Sequence, residues 1–431
     1  MALLNEARTY VAGRWVTGEE TLAVENPADE THVADVTVTP LAEVERAIVE
    51  ARRSFDEGVW ADLPATERAR VLHAFIAEVE AQKDALVATM MAEAGQVRMY
   101  ADFAQLGSGV AQGRGYIDLY QSMRHEEASP VPVDELVRGR VALSLRRHEP
   151  VGVVAAITPY NGAIIMAFQK LIPALIAGNS VILRPSPLTP LSSLVFGAAA
   201  DAAGLPPGVL SVIVEEGAAG AELLTTHPAV DMVSFTGSTA VGRQILAQAA
   251  PTVKRVALEL GGKSAQIYLD DAIAKTPMGA MQVVAMTAGQ ACVAATRMLV
   301  PNDRKAEVLE KVAQSYGQLK VGSPQDATCM VGPLINAAAR ARCEHIVALA
   351  EAQGAKVVFD FSSYIGPFCN TGIMVLNDTI TSQPKIIQAL CNGFEKGSAR
   401  PTATRRLPSR SPARNFRSFP PPSSTARSIP N

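Results

Sequence analysis

A chain of 431 residues exceeds one comfortable hydrophobic core, so two or three domains are expected. Hydrophobic residues make up 48% and charged residues 19%, an ordinary globular balance. A formal net charge of −3 gives no support to nucleic acid or an anionic membrane as partner.

The amino end, MALLNEARTYVAGRW, lacks a basic segment followed by an apolar core, so no secretory signal is expected. From Ala42 to about Ala94 apolar residues recur at helical spacing. Val44, Ala47 and Ile48 form one stripe, and Val71, Leu72, Phe75, Val79 and Leu86 another. Pro64 lies near the start of the second helix, where a missing amide hydrogen costs little. A third helical run covers Ala101 to Gln121. Residues 122–140 are polar with two prolines, which reads as a linker, an exposed arm or an edge hairpin.

From Pro150 the pattern changes to short apolar runs alternating with helical segments. Strands are expected at Gly152–Thr158, Ser180–Leu183, Val209–Val214, Met232–Phe235 and Arg255–Leu260. Helices are expected between them, at Ala163–Ala177, Leu191–Ala203, Ala218–Thr226 and Val241–Ala250. Successive strand–helix units without hairpin signals imply parallel strands with helical crossovers, hence a doubly wound α/β sheet. A second series follows, with strands at Gln266–Leu269 and Arg297–Val300 and helices ending near Gln290 and spanning Arg304–Leu319. The most apolar stretch, Val151 to Phe168, is broken by Pro159, Asn161 and Gly162, which argues against a membrane span. Residues 397–431 hold seven Arg, seven Pro and seven Ser without Asp or Glu, and are expected to be disordered.

Five cysteines (292, 329, 343, 369 and 391) are scattered, odd in number and without metal-ligand spacing. A cytoplasmic protein with one reactive thiol and no metal is therefore expected. Gly289-Gln290-Ala291-Cys292 lies at a helix-to-strand junction, where a thiolate could act as nucleophile. Glu259-Leu260-Gly261-Gly262-Lys263 places a carboxylate at a strand end; a partly apolar site there would suit a general base. Thr158-Pro159-Tyr160-Asn161-Gly162 follows the first strand of the series, outside whose end ligands bind, and an Asn amide there can donate to an oxyanion. Phe235 to Gly242 (FTGSTAVG) joins a strand to a helix, and its glycines let a pyrophosphate approach the helix start. Each motif taken alone is compatible with an ordinary turn or a buried thiol.

Together and in this order the motifs resemble the aldehyde dehydrogenase superfamily across roughly residues 5–358. Further matches are Glu149-Pro150-Val151-Gly152-Val153, Lys170 to Asn179 (KLIPALIAGN), Arg184-Pro185-Ser186 and Gly332-Pro333-Leu334. The resemblance implies a doubly wound cofactor domain at 1–121 and 149–258, an oligomerisation or bridging arm at 122–148, and an incomplete α/β catalytic domain at 259–396. Residues 397–431 then form a tail outside the family pattern. It also implies a mechanism. Cys292 attacks the aldehyde, the Asn161 amide holds the oxyanion, and Glu259 activates the water that releases the acid. Thr158, Pro159, Arg184, Ser186, Pro187, Gly237, Ser238, Gly242, Leu260 and Gly261 are the implied NAD contacts. No nucleic acid, membrane or metal enters this reading.

Two departures stand out. The family commonly reads Lys-Pro-Ser-Glu where this chain reads Arg184-Pro185-Ser186-Pro187. The missing carboxylate leaves NADP open, because Arg184 could pair with a 2′-phosphate; NAD is the expectation. The family's Glu-Glu-Ile-Phe-Gly-Pro motif is absent. Asn415-Phe416-Arg417-Ser418-Phe419, read one base along, permits Ile-Phe-Gly-Pro, so a segment after Val358 is expected to be out of frame. The alternatives are a CoA-acylating semialdehyde dehydrogenase and an inactive cofactor-binding remnant. Retention of Glu259 favours water as acceptor. Met166, Gln169, Ala291 and Val293 flank the reactive positions and favour a neutral aldehyde. A homo-oligomer follows from the resemblance, although the arm's partner strand is not visible in the sequence.

Overall fold

The computed structural model describes residues 3–4, 6–128, 145–352, 356–360 and 372–375. The expected tail at 397–431, residues 129–144 of the arm and the proposed frame change around 415–419 lie outside them.

Two hairpins open the chain: β1 (Thr9–Val11) with β2 (Arg14–Val16), then β3 (Thr21–Glu25) with β4 (His32–Thr37). α1 (Leu41–Asp56), α2 (Ala65–Ala81) and α3 (Lys83–Ala94) follow, then a π-helical turn at Tyr100–Gly107 that runs into α4 (Ser108–Ser122). β5 (Glu126–Ala128) and β6 (Leu145–Arg147) pair antiparallel at the base of the arm. The alternating series then runs β7 (Val153–Ile157), α5 (Ala163–Ile176), β8 (Ser180–Arg184), α6 (Val195–Ala203) and β9 (Leu210–Val212). It continues through α7 (Ala219–Thr226), β10 (Met232–Gly237), α8 (Thr239–Ala249) and β11 (Arg255–Leu260). A smaller α/β set comprises β12 (Ala265–Ile267), α9 (Thr276–Ala285), β13 (Arg297–Leu299), α10 (Lys305–Tyr316) and α11 (Ala337–Ala352). β14 (Lys356–Asp360) and β15 (Gly372–Val375) form a last antiparallel pair.

The main sheet has the order β11-β10-β7-β8-β9-β1-β2. Its five strands from β7 to β11 are parallel, as the strand–helix alternation requires. β1 joins β9 antiparallel, so the whole sheet is mixed rather than purely parallel. β7 is buried at every residue, which a central strand covered on both faces demands. Val154 and Ala156 enter one core cluster, and Val153, Ala155 and Ile157 the other. Val44, Ala47 and Ile48 of α1, with Leu224 and Ile245 of α7 and α8, fill the second layer. Phe75, Phe168 and Phe196 of α2, α5 and α6 fill the first. That is the doubly wound arrangement. Because β7 pairs with β8 on one side and β10 on the other, the winding reverses between β7 and β10, where ligands bind outside the carboxyl ends.

α5 follows the short turn that holds Asn161, and its far end is tied down by side-chain donors. Trp60 Nε1 donates to the Leu175 carbonyl at 2.8 Å and Arg68 Nε to that of Ile176 at 2.9 Å. The Leu175 carbonyl also accepts the Gly178 amide at 2.9 Å, so Trp60 adds a second donor there, and Arg68 supplies one to Ile176 in the last turn. Asn179 donates to the Ala174 carbonyl and accepts from the Val151 and Gly152 amides, fixing the start of β7. The KLIPALIAGN run therefore couples a helix end to a strand start.

Several boundaries differ from expectation. The second helical stripe is two helices, α2 and α3, separated at Gln82 without losing register. The run from Ala101 begins with the π-helical turn. Among the described residues no helix is long and apolar enough to cross a membrane, and no cluster of acidic, His or Cys side chains could hold a metal.

Candidate active site

The carboxyl ends of four neighbouring strands carry nearly all the residues singled out from sequence. Thr158, Pro159 and Asn161 follow β7, and Arg184, Ser186 and Pro187 close or follow β8. Gly237 ends β10, Ser238 caps α8 by accepting from the Val241 amide at 3.3 Å, and Gly242 lies in its first turns. Glu259 and Leu260 end β11, with Gly261 next. A Cβ at Gly242 would stand 2.9 Å from Leu260 Cδ2, so the absence of a side chain lets α8 sit close on β11.

This crevice fits a dinucleotide. The N-terminus of α8 offers backbone amides at the switch point, where a pyrophosphate is favoured. The Thr158 and Thr236 hydroxyls, at one level of adjacent strands, are buried without a hydrogen-bond partner among the described residues. Orphaned polar atoms at these strand ends are of the kind a polar ligand could satisfy. Arg184, which could pair with a 2′-phosphate, is already engaged: its Nε donates to Glu215 Oε1 at 2.8 Å and its Nη2 to the Gly217 carbonyl at 2.9 Å. The reason is that the loop after β9 brings a carboxylate beside the end of β8, a pairing no local pattern reveals.

Asn161 sits in a single 3₁₀ turn at Tyr160–Gly162. Its backbone carbonyl accepts from Gln105 Nε2 at 2.8 Å and Gln96 Nε2 at 3.2 Å, both on buried side chains. Gln105 Oε1 also accepts from the Ile165 amide in the first turn of α5. The Asn161 side-chain amide donates to the Gln290 carbonyl, using one of its two N–H groups. Gln290 is a junction: its Oε1 accepts from the Tyr160 hydroxyl at 3.3 Å and from the Ile335 amide at 3.1 Å.

Cys292 is a free, partly buried thiol in the turn just beyond Gln290, closed by the Ala294 amide donating to the Ala291 carbonyl. Thr287, Ala288 and Gly289 are all left-handed, with φ of 46°, 53° and 77°. Two non-glycine residues in that region carry strain, the kind of backbone found where a reactive group must be aimed. A Cβ at Gly262 would lie 3.8 Å from the Cys292 carbonyl, which brings the Glu259–Lys263 segment up to the thiol's turn. Glu259 itself is exposed, not in the partly apolar setting expected of it, because β11 is the end strand of the sheet among the described residues.

Two titratable neighbours escaped the sequence reading. Tyr100, on the π-helical turn, has its hydroxyl pushed up to about 12 by burial, with the Cys292 charge adding to the effect. Lys170 is pushed down to about 8 by burial, opposed by the Glu259 charge, and its Nζ donates to Ser234 Oγ at 2.9 Å. Its signal was present, since Lys170 opens the KLIPALIAGN run. Gln290 likewise lay within the Gly-Gln-x-Cys tetrapeptide. Gln96 and Gln105 carried no signal at all.

Comparison with known proteins decides the family. The Aldehyde dehydrogenase family profile matches residues 15–385. The chain belongs to the aldehyde dehydrogenase family. It is 34% identical over 362 residues to geranial dehydrogenase of Castellaniella defragrans, covering 82% of this chain and 73% of that one. A variant of aldehyde dehydrogenase C from Pseudomonas syringae, crystallised with NAD+ and octanal, superposes with a TM-score of 0.74 at 34% identity. That match covers 82% of this chain and 70% of the other. An NADP-dependent enzyme of E. coli gives 0.79 at 31% identity, covering 86% and 77%. An aldehyde dehydrogenase oxidises an aldehyde with NAD(P)+, and neither alternative, acyl transfer to CoA or an inactive remnant, is favoured by these likenesses.

Proposed function

We propose that this aldehyde dehydrogenase works through a cysteine thioester, with Cys292 as nucleophile, Asn161 as oxyanion donor and Glu259 as general base. The observation that carries the reading is the joint at Gln290. The Asn161 amide and the Gly262 segment both meet the short turn that presents Cys292.

The Cys292 thiolate attacks the aldehyde carbon, forming a carbon–sulfur bond and a thiohemiacetal oxyanion. The second N–H of the Asn161 amide and the Cys292 backbone amide hold that oxygen. NAD(P)+, when bound, supplies the hydride acceptor that converts the thiohemiacetal to a thioester. Glu259 then takes a proton from water. The hydroxide attacks the thioester, the carbon–sulfur bond breaks, and the carboxylic acid leaves. Glu259 is exposed rather than set in apolar surroundings, which leaves the proton it takes a path to solvent.

Thr158, Pro159, Ser186, Pro187, Gly237, Ser238, Gly242, Leu260 and Gly261 would line the nucleotide crevice, and NAD is the cofactor we assign. The expected domain division and the bridging role of 122–148 belong to the same reading, supported by the exposed β5–β6 pair. Through that arm we propose a homo-oligomer. A working thiolate at Cys292 suits the reducing cytoplasm. Met166 and Val293 favour a neutral, largely apolar aldehyde, although Gln169 bonds Gln112 at 2.8 Å instead of presenting a bare apolar wall.

The test is reduced-nucleotide formation with straight-chain and aromatic aldehydes, beside Cys292→Ala and with acid release followed separately. Turnover lost in Cys292→Ala, with stoichiometric acid, is the expected result. Turnover that survives the substitution would remove Cys292 from the chemistry.

A further inference from the structure

The nucleotide crevice contains one ion pair whose members have opposite uses. Arg184 is the last residue of β8, and its carbonyl accepts from the Thr158 amide at 3.1 Å, one strand from the switch point. Glu215 follows β9, the next parallel strand. The two side chains are bonded at 2.8 Å and only 12% and 7% exposed. Glu215 is held from its other side as well, accepting the Gly220 amide at 2.7 Å and the Ala221 amide at 3.0 Å in the first turn of α7.

At strand ends of doubly wound sheets, a carboxylate accepts the ribose hydroxyls of NAD, whereas an arginine accommodates the 2′-phosphate of NADP. Here both are present and committed to each other. A 2′-phosphate would have to draw Arg184 away from a carboxylate that three donors fix in place. It would also bring about −1.5 to −2 charges beside that carboxylate. A 2′-hydroxyl asks for neither. A carboxylate has about four acceptor positions and three are in use, so one remains for a ribose hydroxyl. Arg184 keeps further N–H groups to donate to the ribose oxygen.

We propose that Glu215, acting through Arg184, is the residue that selects the unphosphorylated ribose, a task for which the 184–187 turn itself offers Pro187 in place of a carboxylate. This rests on the nucleotide-crevice reading given above. Glu216, exposed beside it, adds to the repulsion of a 2′-phosphate.

The experiment is calorimetric binding of 5′-AMP and 2′,5′-ADP to the full chain, to Glu215→Gln and to Arg184→Gln. The unaltered chain is expected to prefer 5′-AMP by about tenfold or more, the low end for one charge-assisted hydrogen bond. Glu215→Gln should narrow or reverse that ratio by about tenfold through tighter 2′,5′-ADP binding, and Arg184→Gln should widen it. If Glu215→Gln does not fold by circular dichroism, the test rests on Arg184→Gln, in which the ratio should widen through weaker 2′,5′-ADP binding. Binding of both nucleotides with a ratio unchanged in the variants, or a wild-type preference for 2′,5′-ADP, overturns the selection role while leaving the crevice intact. Binding of neither nucleotide overturns the crevice reading and this proposal together.

Discussion

Gln105→Leu separates the aiming of Asn161 from the packing around it. Gln105 is fully buried, and leucine nearly conserves its volume, so the change removes hydrogen bonds without opening a cavity. Two bonds disappear: the 2.8 Å donation to the Asn161 carbonyl and the 3.3 Å acceptance from the Ile165 amide. The carbonyl keeps Gln96 at 3.2 Å, whereas the Ile165 amide, in the first turn of α5, loses its side-chain acceptor. One newly unsatisfied group costs about 1–3 kcal/mol, so the unfolding free energy should fall by that amount, seen as a lower urea midpoint at constant slope. The effect on rate has a ceiling, because losing an oxyanion donor outright costs about 10²–10³. A loosened Asn161 turn should cost about ten- to a hundredfold in kcat/KM. The decisive measurement is the double variant with Asn161→Ala. If Gln105 acts through Asn161, adding Gln105→Leu to Asn161→Ala lowers the rate no further. An additive loss, or a single variant that loses stability with unchanged kcat/KM, would refute the positioning argument.

Three further outcomes follow from the packing. Glu93 is completely buried, accepts the Leu191 and Ser192 amides, and is raised to about 7, chiefly by burial. The folded state therefore holds its proton where the unfolded chain has lost it. Stability should fall as pH rises from 4.5 to about 7, by about 3 kcal/mol, with the penalty fully present above that range; Glu93→Gln should flatten the slope in urea titrations at each pH. Arg68→Met removes the donor to the buried Ile176 carbonyl and to the half-buried carbonyl of Ala61. Thermal unfolding should show a loss of about 3 kcal/mol or more, and an unchanged Tm would mean those carbonyls find other donors. Gly332→Ala places a Cβ 2.1 Å from the Gly95 carbonyl oxygen, so its segment must shift. Aldehyde turnover should drop with stability, by about 1–3 kcal/mol in the latter, since the same segment holds the Ile335–Gln290 bond; wild-type values in both would show the loop yields freely.

The strands and helices from β7 to β11 were legible because their burial is local in sequence. Val153–Ile157 must be apolar throughout to lie between two layers of helices, and such runs stand out. The opening hairpin was hidden. Its strands have three residues each, and its turn at Ala12-Gly13 puts alanine at φ 49°, where a hairpin usually advertises Asn, Asp or Gly. The break between α2 and α3 was hidden for the opposite reason, since one irregular residue at Gln82 scarcely disturbs the apolar stripe. In the candidate site, Cys292, Glu259 and Asn161 could be proposed because each lies in a short motif. Gln105, Gln96 and Glu215 matter through bonds that span 31 to 65 residues. No window of local pattern contains both ends of such a bond.

The carboxamide of Gln290 bears on how the molecule moves. It touches Tyr160 from the seven-stranded half and Ile335 from the smaller one, while its own carbonyl receives Asn161. Displacing either partner would therefore disturb the residue two places from the thiol, and alkylation of Cys292 by a small reagent should respond to substitution of Tyr160 or of Gln290 alike.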